Sequence, residues 1–339
     1  MWPDARFPED PYPGAAPPTS FVHLDAVSRP LLRGRVDGVP LDTWLRQHGA
    51  AASAARVPLL AYGSNRCPSK ITWLRWTLGL GPDPVVVLRA STSGVTAVWA
   101  AGPRVRDDQR PAVLAAAPGV VEQHAVWLAT PAQVEVLDRC EGREVRFRLA
   151  RLHTGEVRTE DGMRIDAPWC YLGHAPIRRP LLVAGSMARC ADVGQAAARA
   201  LQGVAAPGDG LDAETVVGAP RPEAWPAALF VYGLLRPGQV AWRRIAGHAA
   251  GSPRAATIPG GLFDTGRGYP GWLPDEPGTT PGVIVPVHDP PALLPELDAF
   301  EGPEYERVRV IAGDTVCWAY AWRGATRRMR PLPAGWPAR

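Results

Sequence analysis

The chain has 339 residues, 46% of them hydrophobic and 21% charged, which fits a globular protein with room for two domains and excludes a disordered one. Its formal net charge of +4 is scattered, and the densest basic run, Arg327, Arg328 and Arg330, is too short for a nucleic-acid surface. Lys70 is the only lysine; with abundant Ala, Gly and Pro this points to coding bias, so the preference for arginine carries no functional message.

Met1 to Pro18 is broken by prolines and acidic residues and does not read as a signal peptide. Leu41 to His48 predicts a short helix, and residues 1–56 as a whole read as an extension packed on the first domain. Val57 to Tyr62 is an apolar, aromatic-tipped strand that delivers a glycine loop, Gly63-Ser64-Asn65. Val85 to Leu88 and Ala125 to Leu128 are strand-like. Val134, Leu137 and Cys140 then fall at helical spacing, ending in Glu141 with Gly142 as a C-cap. Val145, Phe147 and Leu149 alternate as a strand, and Ala184 to Gln202 predicts a closing helix. Residues 203–227, rich in Pro, Gly and Ala, read as a linker.

A second series follows. Ala228 to Tyr232 is again a buried strand with a glycine behind it, Gly233, and then Leu234 and Leu235. Val283 to Val287 and Thr315 to Trp322 are strand-like, as are Val308 and Val310. Leu293, Leu294, Leu297 and Phe300 mark an amphipathic helix that ends at Glu301 and Gly302. No apolar run approaches the roughly 18 residues of a membrane span. The five cysteines are odd in number and widely spaced, so the chain reads as cytoplasmic and without structural metal.

The two series align. Pro131 to Gly142 and Pro291 to Gly302 share six of twelve positions without gaps, and Leu, Tyr, Gly and Arg recur in register between Leu59 to Arg66 and Leu229 to Arg236. Pro111, Leu114, Pro118 and Gly119 reappear as Pro270, Leu273, Pro277 and Gly278. The order is conserved, with Tyr-to-Glu separations of 79 (62 to 141) and 69 (232 to 301) residues. This is the pattern of a duplicated domain, one copy over 57–202 and the other over 228–339. Strands outnumber helices, so each copy is expected to be α+β: a small mixed sheet or barrel with flanking helices.

A carboxylate at a helix C-terminus faces the negative end of the helix dipole, where structure alone prefers Lys or Arg. Its occurrence at both Glu141 and Glu301 invites a functional reading over that of a helix-end surface residue. Other candidates read as bland. Cys140 aligns with Phe300, which favours an apolar core position over a thiol nucleophile. Ser64 lacks a Gly-x-Ser-x-Gly context. Tyr62 and Tyr232 could pack beneath their loops or touch a ligand. Neither a Walker loop nor a dinucleotide fingerprint is present.

Phe230 to Gly238, Leu262 to Gly266 with Tyr269 and Pro270, and Leu297 to Val308 together resemble the γ-glutamylcyclotransferase-like superfamily, as does the terminal Gly335-Trp336. Tyr62-Gly63-Ser64-Asn65 is similar to the other common form of its loop. The resemblance covers nearly all of 228–339 and the anchors of 57–180. It implies two tandem domains that release 5-oxoproline from a small γ-glutamyl amine or peptide, with no cofactor. Carried over, Glu301 and Glu141 match the catalytic glutamate, and Tyr232, Gly233, Leu234, Leu235 and Tyr62, Gly63, Ser64, Asn65 match the substrate loop. Tyr305 matches a tyrosine that helps enclose the substrate. The first copy has no hydroxyl at that place, and the second has Leu234 where a small polar residue is usual. A rival expectation is a non-catalytic duplicated scaffold that binds a γ-glutamyl-like ligand; another is removal of a γ-glutamyl protecting group from a larger amine.

Overall fold

The computed structural model describes residues 1–327 and 329–337; Arg328, part of the short basic run, lies outside them. The chain forms two compact units, Met1–Pro220 and Arg221–Arg339.

In the first unit the Tyr-Gly strand is β1 (Val57–Ala61), and α1 (Pro68–Leu78) follows its loop. The long hairpin of β2 (Val85–Trp99) and β3 (Ala112–Ala129) comes next. Then come α2 (Pro131–Glu141), β4 (Phe147–Leu152) and β5 (Trp169–Gly173). The central strand order is β4-β5-β1-β3-β2, with β5 and β1 parallel and the other neighbours antiparallel. α2 starts on a full capping box between Thr130 and Gln133 and stops at Gly142, whose φ of 64° suits glycine.

The second unit repeats this plan. Its elements are β6 (Ala228–Val231), β7 (Arg254–Pro259), β8 (Thr279–Pro286), α3 (Pro290–Glu301), β9 (Tyr305–Ala312) and β10 (Thr315–Trp322). Its strand order, β9-β10-β6-β8-β7, is that of the first unit, and β6 and β10 are its parallel pair. Register agrees as well: Leu59 faces Trp169 across the parallel pair, as Leu229 faces Trp318. Alternation along β10 sends Cys317, Ala319 and Ala321 into the core with Phe230, Ile258, Leu262 and Ile284, which leaves Trp318, Tyr320 and Trp322 on the opposite face. The hairpin that is continuous in the first unit is broken here. Glycines near the break let Gly261–Asp264 and Pro270–Leu273 form a separate small sheet.

Several expectations need amendment. The strands at the two ends of the central five are not paired with each other among the described residues, so each unit holds an open mixed sheet and not a closed barrel. Residues 203–220 are not linker. Val204–Ala205 pairs with Leu181–Val183, Ala213–Thr215 pairs with β4, and Arg143 donates to the carbonyls of Val216 and Gly218. Free sheet edges take up this segment's backbone groups, which composition does not reveal. The closing helix shrinks to Gln195–Ala200, because Leu181–Val183 and Ser186–Met187 turn back as a hairpin through Gly185. Val145 lies exposed in the turn before β4. The N-terminal extension joins the first sheet through Phe21–Leu24, which pairs with β2.

Candidate functional site

Each unit has a cavity where its two parallel strands part. In the second it measures about 270 Å³ and is lined by Tyr232, Gly233, Leu234 and Leu235 from the loop, Glu301 from α3, and Tyr305 from β9. Trp318 and Tyr320 of β10, with Tyr269 and Pro270, form further wall. The sequence therefore marks residues that the fold does bring together. Close approach explains the loop glycine: a Cβ on Gly233 would stand 2.8 Å from the Pro270 ring.

Polar bonds hold this wall. Tyr232 donates its hydroxyl to the carbonyl of Tyr320 at 2.6 Å, and Tyr320 donates to Asp298 at 2.8 Å. Arg307 pairs with Asp298 at 3.1 Å. Tyr305 donates to the carbonyl of Pro270 at 2.7 Å and meets Trp322 edge-on, with ring centroids 5.1 Å apart. Glu301 is different. No hydrogen-bond or ion-pair partner for its carboxyl is present among the described residues, and burial among apolar neighbours pushes its pKa up to about 7. A carboxylic acid poised near neutrality and facing an open cavity can both accept and return a proton.

The first cavity is larger, about 700 Å³, and includes Tyr62, Gly63, Ser64, Asn65 and Glu141. The same bonds recur behind it. Tyr62 donates to the carbonyl of Tyr171 at 2.5 Å, Tyr171 donates to Asp138 at 2.6 Å, and Arg143 pairs with Asp138 at 3.0 Å. Here the glutamate is held: Asn65 Nδ2 donates to Glu141 Oε1 at 2.9 Å, while Trp127 Nε1 donates to the carbonyl of Asn65 at 2.6 Å. Burial raises the Glu141 pKa, against the opposing effects of the Asn65 hydrogen bond and the nearby Lys70 charge. Cys140 is half-buried on one cavity wall and its counterpart Phe300 is exposed on the other, so the apolar-core reading is corrected; burial pushes the Cys140 thiol up to about 11.

Sequence reasoning missed several residues. Tyr12 reaches the first cavity from the N-terminal extension, accepts a hydrogen bond from the Ala112 amide at 2.9 Å, and sits where a Cβ on Gly63 would be 2.6 Å from its hydroxyl. It covers its loop as Pro270 covers the other. A tyrosine without a counterpart in the repeat gave no signal. Tyr171 and Tyr320 could have been found, since Trp169-x-Tyr171 and Trp318-x-Tyr320 extend the repeat, and Asp138 and Asp298 already belonged to it. Among the described residues no cluster of three or more His, Cys, Asp or Glu could hold a metal, and no helix is long and apolar enough to cross a membrane.

Residues 229–337 match the family described as gamma-glutamyl cyclotransferase, AIG2-like. Among solved structures, an AIG2-like protein from Mus musculus is 23% identical, covering 32% of this chain and 86% of its own at a TM-score of 0.27. A structure from Arabidopsis thaliana is 29% identical over 29% of this chain and 71% of its own, with a TM-score of 0.25. YkqA from Bacillus subtilis is 16% identical over 79% of this chain and 84% of its own, with a TM-score of 0.26. No curated protein matches the chain. The fold assignment above stands on strand order and register alone.

Proposed function

Since residues 229–337 belong to the gamma-glutamyl cyclotransferase, AIG2-like family, we propose that the second unit cyclises the γ-glutamyl group of a small amine or peptide to 5-oxoproline. The observation that carries this reading is the carboxyl of Glu301, without a partner among the described residues, with a pKa near 7, beside the Tyr232 to Leu235 loop. In the proposed reaction, the α-ammonium of the substrate gives a proton to Glu301. The freed amine attacks the γ-carbonyl carbon of the same molecule and closes a five-membered ring. The C–N bond to the departing amine then breaks as Glu301 returns the proton to that nitrogen. The ring nitrogen, now an amide, gives up its second proton, which the departing amine takes up to leave as an ammonium. Attack within one molecule removes the entropic cost of collecting two reactants, so folding the substrate and relaying its protons suffice. Backbone N–H groups at Leu234 and Leu235 are suited to hold the substrate carboxylate or the developing oxyanion. Tyr305 and Tyr269 would close over the γ-glutamyl chain.

The first unit is proposed to bind the same group in its own cavity, as the other copy of a tandem pair, with Glu141 at the corresponding position and Tyr62 to Asn65 as its loop. One observation favours a binding role there: Glu141 is committed to Asn65, whereas Glu301 has no such bond among the described residues. The test is 5-oxoproline release, followed by mass spectrometry, from γ-glutamyl amino acids, γ-glutamyl amines and glutathione. Loss of release on Glu301→Gln alone supports the assignment; release that survives both Glu301→Gln and Glu141→Gln overturns it.

A further inference from the structure

Lys70 departs from everything around it. The chain carries 37 Lys and Arg residues, of which 36 are arginine, so wherever any cation would serve, this protein uses arginine. Its single lysine lies on the wall of the first cavity and is only 5% exposed. The ammonium stands 3.3 Å from the centre of the Trp73 ring. No carboxylate lies within ion-pair distance of it among the described residues, and Glu141 acts on it only from farther off. A buried cation without a contacting counter-ion is costly, and burial lowers its pKa, with the more distant Glu141 charge opposing.

Position adds to the cost. Lys70 is the third residue of α1, near the positive end of that helix, where a carboxylate would be stabilising. Glu141 is the last residue of α2, near a negative end. The buried cation and the acid of this cavity thus both stand at the unfavourable ends of their helices, each facing the same space. A compact ammonium with three donors on a flexible stem makes a point contact, unlike the planar forks of the five arginines that also line this cavity. Arg106 and Arg139 are exposed at the rim, and the second cavity has no basic residue at all among its lining.

We propose that Lys70 is the anion-binding residue of the first cavity, holding a carboxylate of the bound ligand, with Trp73 beneath the ammonium and Arg106 and Arg139 drawing acidic ligands to the mouth. The first unit therefore selects carboxylate-bearing ligands through a contact the second unit lacks. This rests on reading the first cavity as a γ-glutamyl site. Two carboxylates could fill the position, the α-carboxylate of the γ-glutamyl group or one on the departing amine.

Calorimetry on the full chain carrying Glu141→Gln and Glu301→Gln separates these without turnover, and the second cavity serves as internal control. Probes are γ-glutamylglycine, γ-glutamylethylamide, glutarate and the uncharged glutaramide. Lys70→Met is expected to weaken γ-glutamylglycine at one class of site about tenfold or more, the scale of a lost charge-assisted hydrogen bond, with Lys70→Arg only partly restoring it. Equal weakening of γ-glutamylethylamide identifies the α-carboxylate; weakening of γ-glutamylglycine alone identifies the departing amine. Unchanged affinities, an equal loss for glutaramide, or failure of the Lys70 chain to bind any carboxylate probe would overturn the proposal. Should Lys70→Met not fold, Lys70→Gln is read in the same way. Lys70-dependent glutarate binding in a protein that releases no 5-oxoproline would leave the anion site standing and remove the cyclisation reading.

Discussion

The two cavities share a frame and differ in charge. In both, a tyrosine before the loop glycine donates to the carbonyl of a second tyrosine, which in turn donates to an aspartate one helical turn before the glutamate. Within that frame one cavity is small, aromatic and neutral apart from Glu301. The other is more than twice the volume, rich in arginine, and holds its glutamate by an asparagine. Bonds that fix strand separation recur, whereas groups that would meet a ligand diverge. The frame sets where a carboxylate can stand, and the lining sets how tightly its proton is held.

The largest test of this difference is Glu301→Gln, which should lower 5-oxoproline release about a hundredfold or more, the usual scale of general acid–base catalysis. Glu141→Gln should leave release by the second unit at wild-type level, and equal losses from the two would erase the functional contrast. Tyr12→Ala comes next. It removes a buried ring from the first cavity wall, an aromatic truncation that costs about 3–5 kcal/mol. Two thermal transitions, with only one lowered, would confine the effect to the first unit.

A third test uses pH. The folded pKa of Glu301, about 7, is above its unfolded value, so folding binds a proton between them. The associated stability is fully present below the unfolded pKa and is lost as pH rises through 7. It amounts to at most about 3 kcal/mol. Melting measured at pH 5 and pH 8 should therefore show Glu301→Gln gaining on wild type at the higher pH. An equal offset at both would contradict the raised pKa. The smallest effect concerns the loop glycines. Gly233→Ala meets a proline ring and should cost about 1–3 kcal/mol. Gly63→Ala meets the Tyr12 hydroxyl, so Tyr12→Phe should relieve it in a double-mutant cycle, and simple additivity would show that Tyr12 does not press on the loop.

Much of this was legible in the sequence because the repeat carries both anchors. Tyr62 and Glu141, or Tyr232 and Glu301, are far apart in the chain, and only a duplicated spacing marks them as partners. Helix ends were legible for a local reason: Gly142 and Gly302 follow the glutamates with positive φ. Tyr12 was illegible because its placement depends on an extension crossing to the loop, a contact of long separation with no periodic signature. Lys70 was read only as a product of composition, since its burial is a tertiary fact. Residues 203–220 misled because sheet edges can recruit any chain that offers backbone groups.

The tyrosine clasp has one more consequence. Parallel pairing between β1 and β5 stops at Leu60 and Cys170, and that between β6 and β10 involves Leu229 and Trp318 alone. Beyond these points the amide ladder is replaced by one phenol bridging to the opposite carbonyl, at Tyr62 and at Tyr232. A phenol is several ångströms longer than an amide N–H, so it acts as a spacer that prevents the fork between the strands from zipping shut. The cavity volume is thus set by the length of a side chain and does not depend on a flexible loop staying open.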